Sequence, residues 1–260
     1  MRIAFSCEKG GVGKTALAVC LARSFSERGL KVLFVDLDVQ RNGTDALADC
    51  PQICTSGGLF SLDFADTALP DPLSGLKGEG GIAVCAADPS LADLGQDDID
   101  PFVSRGSANL SHLEELGYGA VIIDTPPTLG PTLAAALLLS EKVLIPIEVE
   151  LSSIQGAVNV AKTVGNLRRA AKPDLELLGV IVNRLRNTPR KHRNLEQIKA
   201  DPGLGPMLIP QMIRDRDSIA EALSEVVPLK ELARKRTAAR KARDEIEALA
   251  SFVMAKAQEK

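Results

Sequence analysis

Apolar residues in this chain fall into two kinds of run that alternate from the N-terminus onward. Short, nearly unbroken apolar stretches read as buried strands: "RIAFS", "KVLFVDLD" (31–38), "GIAVCAAD" (81–88), "YGAVIIDTPP" (118–127), "KVLIPIEV" (142–149), "LELLGVIVNRL" (175–185) and "PMLIPQMI" (206–213). Between them, apolar positions recur at helical spacing in "TALAVCLARSFSERG", with Gly29 as a stop, and in "NLSHLEELG", "PTLAAALLLS" and "SSIQGAVNVAKTVGNLRRAA". From about Asp217 the pattern is helical to the end. Residues 49–80 are rich in Pro, Gly, Ser and Asp, which predicts irregular structure or short helices. Strands alternating with helices predict an α/β fold with a doubly wound, mostly parallel sheet flanked by helices. No repeat, low-complexity tract or linker divides the chain, so residues 1–260 are expected to form a single domain.

Composition narrows the classes. Hydrophobic residues are 45% of the chain, enough for a sizeable core. There is no tryptophan and one tyrosine, so aromatic stacking on bases is not expected. The formal net charge of −3 announces no polyanion partner, and any basic patch must be local. "MRIAFSC" does not read as a signal peptide, and the longest apolar stretch, "PTLAAALLLSEKVLIPI", is split by Glu141 and Lys142. A soluble cytoplasmic protein with no membrane partner is the expectation. The five cysteines are Cys7, Cys20, Cys50, Cys54 and Cys85. Their odd count, and the lack of a C-x-x-C pair, predict reduced thiols and no metal cluster.

In such a sheet, ligands bind beyond the carboxyl ends of the strands. The first apolar run ends in "CEKGGVGKTA" (7–16). Gly10, Gly11, Val12 and Gly13 would fold their backbone N–H groups around phosphate oxygens at the start of a helix. Lys14 would reach the β- and γ-phosphates, the Thr15 hydroxyl would ligate Mg²⁺, and Ala16 is expected among the nucleotide-binding residues. The usual loop pattern has glycine where this chain has Glu8, and it lacks the extra Lys9. The second apolar run ends in Asp36 and Asp38, both placed to lie near a metal. A later one ends in Asp124, the natural acid to hold Mg²⁺ through water.

"KGGVGKT", "DLDVQRNGT" and "IIDTPPTLG", in that order and at this spacing, resemble the ParA/MinD family of deviant Walker ATPases. The resemblance implies ATP and Mg²⁺ as cofactors and an ATP-dependent sandwich homodimer, in which Lys9 crosses to the partner's nucleotide. It implies that Asp38 positions the attacking water, with Asp36 beside it near the metal. "VIVNR" resembles the strand that ends in an adenine-reading residue, here Asn183. "LIPQMIRDRDSIAEA" resembles the segment that closes over the base, with Pro210 near the ring. "PIEVELSSIQGA" resembles a dimer-facing segment containing Glu150. The chain departs from the family pattern at Val39, where proline is usual, at Arg41, where a small residue is common, and at Ala16, which replaces a second threonine. No phosphate or metal ligand is lost by these changes; the hydrolysis rate is what they bear on.

The resemblance admits three roles. An electron-transfer or metallochaperone ATPase of the nitrogenase iron-protein type needs paired cysteines, and Cys85 has no evident companion on the later strands. A MinD-like membrane-cycling ATPase needs a C-terminal helix that lies on lipid. Here Leu249 and Val253 continue the spacing of Ala239, Ala242 and Ile246, which reads as a buried stripe. A ParA-type positioning ATPase needs a cationic surface for nonspecific DNA. Lys230, Arg234, Lys235, Arg236, Arg240, Lys241 and Arg243 crowd one segment with Glu231 as the only acid, and Arg236, Arg240 and Arg243 are expected on one helical face. Arg184, Arg186, Arg190, Lys191 and Arg193 form a second cluster. No helix-turn-helix segment precedes the loop, so a separate adaptor protein is expected to define the cargo and to stimulate hydrolysis.

Overall fold

The computed structural model describes residues 1–67, 69–74, 79–93 and 99–258. Eight strands form its sheet: β1 (Arg2–Phe5), β2 (Lys31–Asp36), β3 (Gln52–Thr55), β4 (Gly81–Ala86), β5 (Ala120–Asp124), β6 (Lys142–Ile147), β7 (Glu176–Leu185) and β8 (Leu208–Arg214). Their order is β3-β4-β2-β5-β1-β6-β7-β8, and every pairing is parallel. Parallel strands need crossovers, and the intervening helices cover both faces, which is why the strands read as continuous apolar runs rather than as alternation.

One face is covered by α3 (Ser56–Ser61), α4 (Asp100–Glu115), α5 (Pro131–Leu139), α6 (Leu151–Ala170) and α7 (Pro189–Ala200), which bury Leu59, Leu110, Leu137, Val160 and Leu195. The other face is covered by α1 (Lys14–Glu27), α2 (Asn42–Ala46), α8 (Asp217–Ser224), α9 (Leu229–Lys235) and α10 (Thr237–Gln258). Leu17, Leu21 and Phe25 of α1 are fully buried there, each contributing about 1.5–3 kcal/mol by leaving water. The stripe expected on the last helix is real. Ala239, Ala242, Ile246, Leu249 and Val253 are all buried, and α10 packs against α1, α9 and β8. Among the described residues, no helix is long and apolar enough to cross a membrane.

Three expectations change. Residues 49–80 contain an edge strand, β3, as well as the short helix α3. Only four residues long and half-exposed, that strand carries no strong apolar signal. The helix read at 109–117 starts at Asp100, with Pro101 in its first turn. The basic C-terminal segment is not one helix: Arg236 is extended, at φ −136° and ψ 130°, and caps α9 before α10 begins. It therefore shares no helical face with Arg240 and Arg243.

Candidate functional site

The chain switches direction across the sheet around β1, so the loops after β1, β2 and β5 converge at its carboxyl edge. In the first of these, Gly11 and Gly13 adopt φ of 80° and 85°, conformations that L side chains resist. Gly13 is doubly constrained, because a Cβ there would stand 2.3 Å from Asn183 Nδ2. Asn183 is buried and donates from that nitrogen to the Val12 carbonyl at 2.7 Å, so β7 braces the loop. Lys14 is 6% exposed, and its Nζ donates to the Lys9 carbonyl at 3.3 Å. Burial pulls its pKa down, while Asp124, Cys7 and Asp38 pull it back up. A buried lysine with one backbone acceptor retains donors for an anionic ligand.

Asp36 and Asp124 end adjacent strands as Cα partners, yet their carboxylates have different surroundings. Asp36 accepts from Thr44 N at 2.7 Å, Thr44 Oγ1 at 2.8 Å and Asp38 N at 3.1 Å. Burial raises its pKa, and those hydrogen bonds oppose the rise. Thr44 Oγ1 in turn accepts from Ala87 N at 3.0 Å. Asp36 thus helps to shape the loop from Asp38 to Thr44, and neither it nor Asp124 lines the cleft directly.

Asp124 is fully buried, and neither carboxylate oxygen closes a hydrogen bond among the described residues. Burial, then the Asp36 charge, push its pKa up to about 8, against the nearby Thr15 hydroxyl and Lys14. A buried carboxylate whose nearest polar neighbours are the loop threonine and Lys14 is a donor set that fits Mg²⁺, which keeps several waters and takes only one or two protein ligands.

A cleft of about 820 Å³ opens over these groups, within the range of small-molecule sites. Gly10, Gly11, Gly13, Lys14, Thr15 and Ala16 form its floor, with Asp38 at one side and Asn183 at another. Asp38 is 9% exposed and accepts from Gln40 N at 3.0 Å. Pro210 does not reach the cleft. It is exposed within β8, and the wall begins further on, at Arg214, Asp215, Arg216 and Asp217.

Arg184 and Arg186, grouped above with a surface cluster, also line the cleft. Arg184 has φ 51°, which turns its guanidinium to the Gly11 carbonyl at 2.9 Å and to Glu148 at 3.3 Å. Arg186 Nε donates to Asp215 at 2.6 Å. The available signal was position: both follow Asn183 at the same strand end.

Lys9 stands apart from the cleft lining. Its Nζ donates to Glu150 Oε2 at 2.8 Å, and Lys191 Nζ donates to Glu150 Oε1 at 3.0 Å. These contacts hold the Glu150 carboxyl down at about 2. On the loops after β2 and β5, Val39 and Leu129 leave apolar side chains 47% and 54% exposed.

Residues 3–229 match the CobQ/CobB/MinD/ParA nucleotide binding domain. The chain belongs to that family. It is 37% identical over 255 residues to Protein IncC of Escherichia coli, covering 96% of this chain and 68% of that protein. It is 32% identical over 182 residues to the chromosome-partitioning ATPase Soj of Thermus thermophilus, covering 70% and 68%. Solved structures share the fold: an ATP complex of Cyanothece McdA, at TM-score 0.72 and 21% identity, covers 97% of this chain and 95% of that one. A Borrelia burgdorferi putative plasmid partition protein bound to AMPPNP, at TM-score 0.71 and 20% identity, covers 98% of each. This ParA/MinD-family chain thus carries a nucleotide-binding domain, and its relative Soj is a chromosome-partitioning ATPase.

The cationic segment of this ParA/MinD-family chain divides in two. Arg236 pairs with Glu221 and Arg243 with Glu27, while Lys230 is half-buried. Arg234, Lys235, Arg240 and Lys241 are exposed, with no ion pair among the described residues. Of the second cluster, Lys191 is committed to Glu150, and Arg184 and Arg186 to the cleft.

Proposed function

We propose that this chain is a ParA-type ATPase: it binds ATP with Mg²⁺, closes into a two-subunit sandwich, and as that dimer binds DNA without sequence preference. Hydrolysis, stimulated by an adaptor protein, returns it to the monomer. The observation that carries this reading is Lys9, an extra cation on the phosphate loop that does not line its own chain's cleft. A cation aimed away from its own site rewards dimerisation when the partner holds polyphosphate. Exposed Val39 and Leu129 at the same sheet edge support a face that a second copy covers.

Within one site, Lys14 and the loop amides bind and neutralise the β- and γ-phosphates. Thr15 and Asp124 are the residues to hold Mg²⁺, which when bound offsets charge developing on the phosphate oxygens. Asp38, at the side of the cleft, accepts a hydrogen bond from water and orients it for attack. Asn183 and the wall at Arg214–Asp217 are the candidates to contact the base and ribose. Sequence relatives named for chromosome partitioning support the cellular role of moving a cargo. The inward stripe of α10 favours DNA over lipid as the partner, because its apolar side is already spent on the sheet. A cytoplasmic location follows from that cycle.

The test is binding to random-sequence duplex across a salt series, with and without a nonhydrolysable ATP analogue. ATP-dependent binding that weakens steeply with salt is expected. No such binding at low salt, together with ATP-dependent sedimentation on anionic vesicles, overturns the reading in favour of a membrane-cycling ATPase.

A further inference from the structure

Cys54 of β3 and Cys85 of β4 are Cα partners in the parallel pair. That register is not the simple one. Gln52 sits opposite Val84, so an unbroken ladder would place Ile53 against Cys85; a shift between Gln52 and Cys54 brings the two cysteines level instead. Their sulfurs are 2.6 Å apart, and both thiols are free. Adjacent strands lie about 4.8 Å apart, inside the roughly 4.4–6.8 Å Cα span of a disulfide. Cys85 is fully buried, whereas Cys54 on the edge strand is partly exposed. The pair therefore joins a partly exposed residue to a sheltered one, with their sulfurs already in contact. Neither thiol lines the nucleotide cleft.

We propose that Cys54 and Cys85 are an oxidative modification site, closing to an intramolecular disulfide when the protein meets a peroxide. The Cys54 sulfur attacks one peroxide oxygen. The O–O bond breaks, giving a sulfenic acid on Cys54 and one water. The Cys85 sulfur then attacks the Cys54 sulfur. The S–O bond breaks, and the hydroxyl leaves with the Cys85 proton as a second water. Two thiols lose two electrons, and hydrogen peroxide is reduced to two waters.

The bond pins the edge strand just before Ser56, whose hydroxyl donates to the carbonyls of Asp36 and Cys85. Oxidation therefore tightens the strand end that backs the acidic loop, without placing a new group in the cleft.

The test uses the full chain with Cys50→Ser, because Cys50 and Cys54 share the tryptic peptide 42–77 while Cys85 lies in 78–105. The reduced protein is treated with hydrogen peroxide, alkylated and digested. Peptides 42–77 and 78–105 should appear joined, two hydrogens lighter than their sum, and dithiothreitol should separate them. The same treatment of Cys50→Ser/Cys54→Ser should give no joined species. Hydrogen exchange at residues 52–55 should slow in the oxidised chain. The proposal is overturned if Cys54 is trapped as a sulfenic acid while Cys85 stays alkylatable. It is also overturned if Cys85 links to Cys7 or Cys20 instead, or if exchange in β3 is the same in both redox states.

Discussion

Lys9 Nζ and Glu150 Oε2 stand 2.8 Å apart, across the junction between the phosphate loop and the start of α6, and Lys191 holds the other oxygen of the same carboxylate. The lysine assigned to a partner's nucleotide is thus engaged within its own chain. Lys9→Ala is expected to bind ATP through Lys14 and the loop amides but to stay monomeric with a nonhydrolysable analogue. Sedimentation velocity decides it, and a normal ATP-dependent dimer would reduce Lys9 to a surface charge.

The same triad sets a pH expectation. Glu150 is held at about 2 rather than the ordinary 4.5 by its two lysines. A depressed carboxyl contributes its interaction fully above the ordinary value and loses it as pH falls through about 2. The contact should therefore stay ionised throughout the neutral range and not make dimerisation pH-dependent. An NMR titration of the Glu150 carboxyl should show a low midpoint that returns towards 4.5 in Lys9→Ala/Lys191→Ala. An unchanged midpoint in that variant would remove the triad.

Lys14→Ala should abolish useful ATP affinity, because the phosphates lose a buried cation: about 2 kcal/mol or more, roughly a 30-fold weakening at least. Isothermal titration is the measurement, and parental affinity would sink the site assignment.

Asp38→Ala separates chemistry from binding. ATP binding and dimerisation should persist while hydrolysis falls by roughly 10²–10⁴. A variant that hydrolyses at the parental rate would move the water-orienting role elsewhere.

Thr44→Val tests what Asp36 does. Removing the hydroxyl takes one hydrogen bond from a buried carboxylate and the acceptor from Ala87 N, a loss of about 1–3 kcal/mol. Urea unfolding should show it, and no change in midpoint would mean that the Asp36 contacts are dispensable.

For DNA, the residues to change are Arg234, Lys235, Arg240 and Lys241. Charge reversal at Arg236 or Arg243 would also break their ion pairs with Glu221 and Glu27, confounding binding with packing. Neutralising the four should flatten the log–log salt dependence by roughly 0.9 for each phosphate that the protein no longer neutralises. An unaltered slope would make this a solvated face.

Much of the architecture was readable in the sequence because a buried parallel strand has no polar face to hide. The apolar runs that form β1, β2, β4, β5, β6 and β7 stand out for that reason. The phosphate loop was readable for a local reason. Gly11 and Gly13 need backbone conformations that few residues tolerate, and Lys14 follows immediately. The inward stripe of α10 was likewise carried by its own spacing.

What depended on distant segments meeting was not readable. Asp36 and Asp124 look alike as acids at strand ends. Only the fold shows that Thr44 and Asp38 N donate to the first, while the second faces Thr15 and Lys14. Arg184 and Arg186 look like surface charge until the backbone of Arg184 turns left-handed towards Gly11. Cys54 meets Cys85 only through a register shift in a strand too short and too exposed to announce itself. Periodicity reports which face of an element is buried, because burial repeats with the backbone. It is silent on which side chains from separate elements share a hydrogen bond, because that depends on where the folded chain brings them.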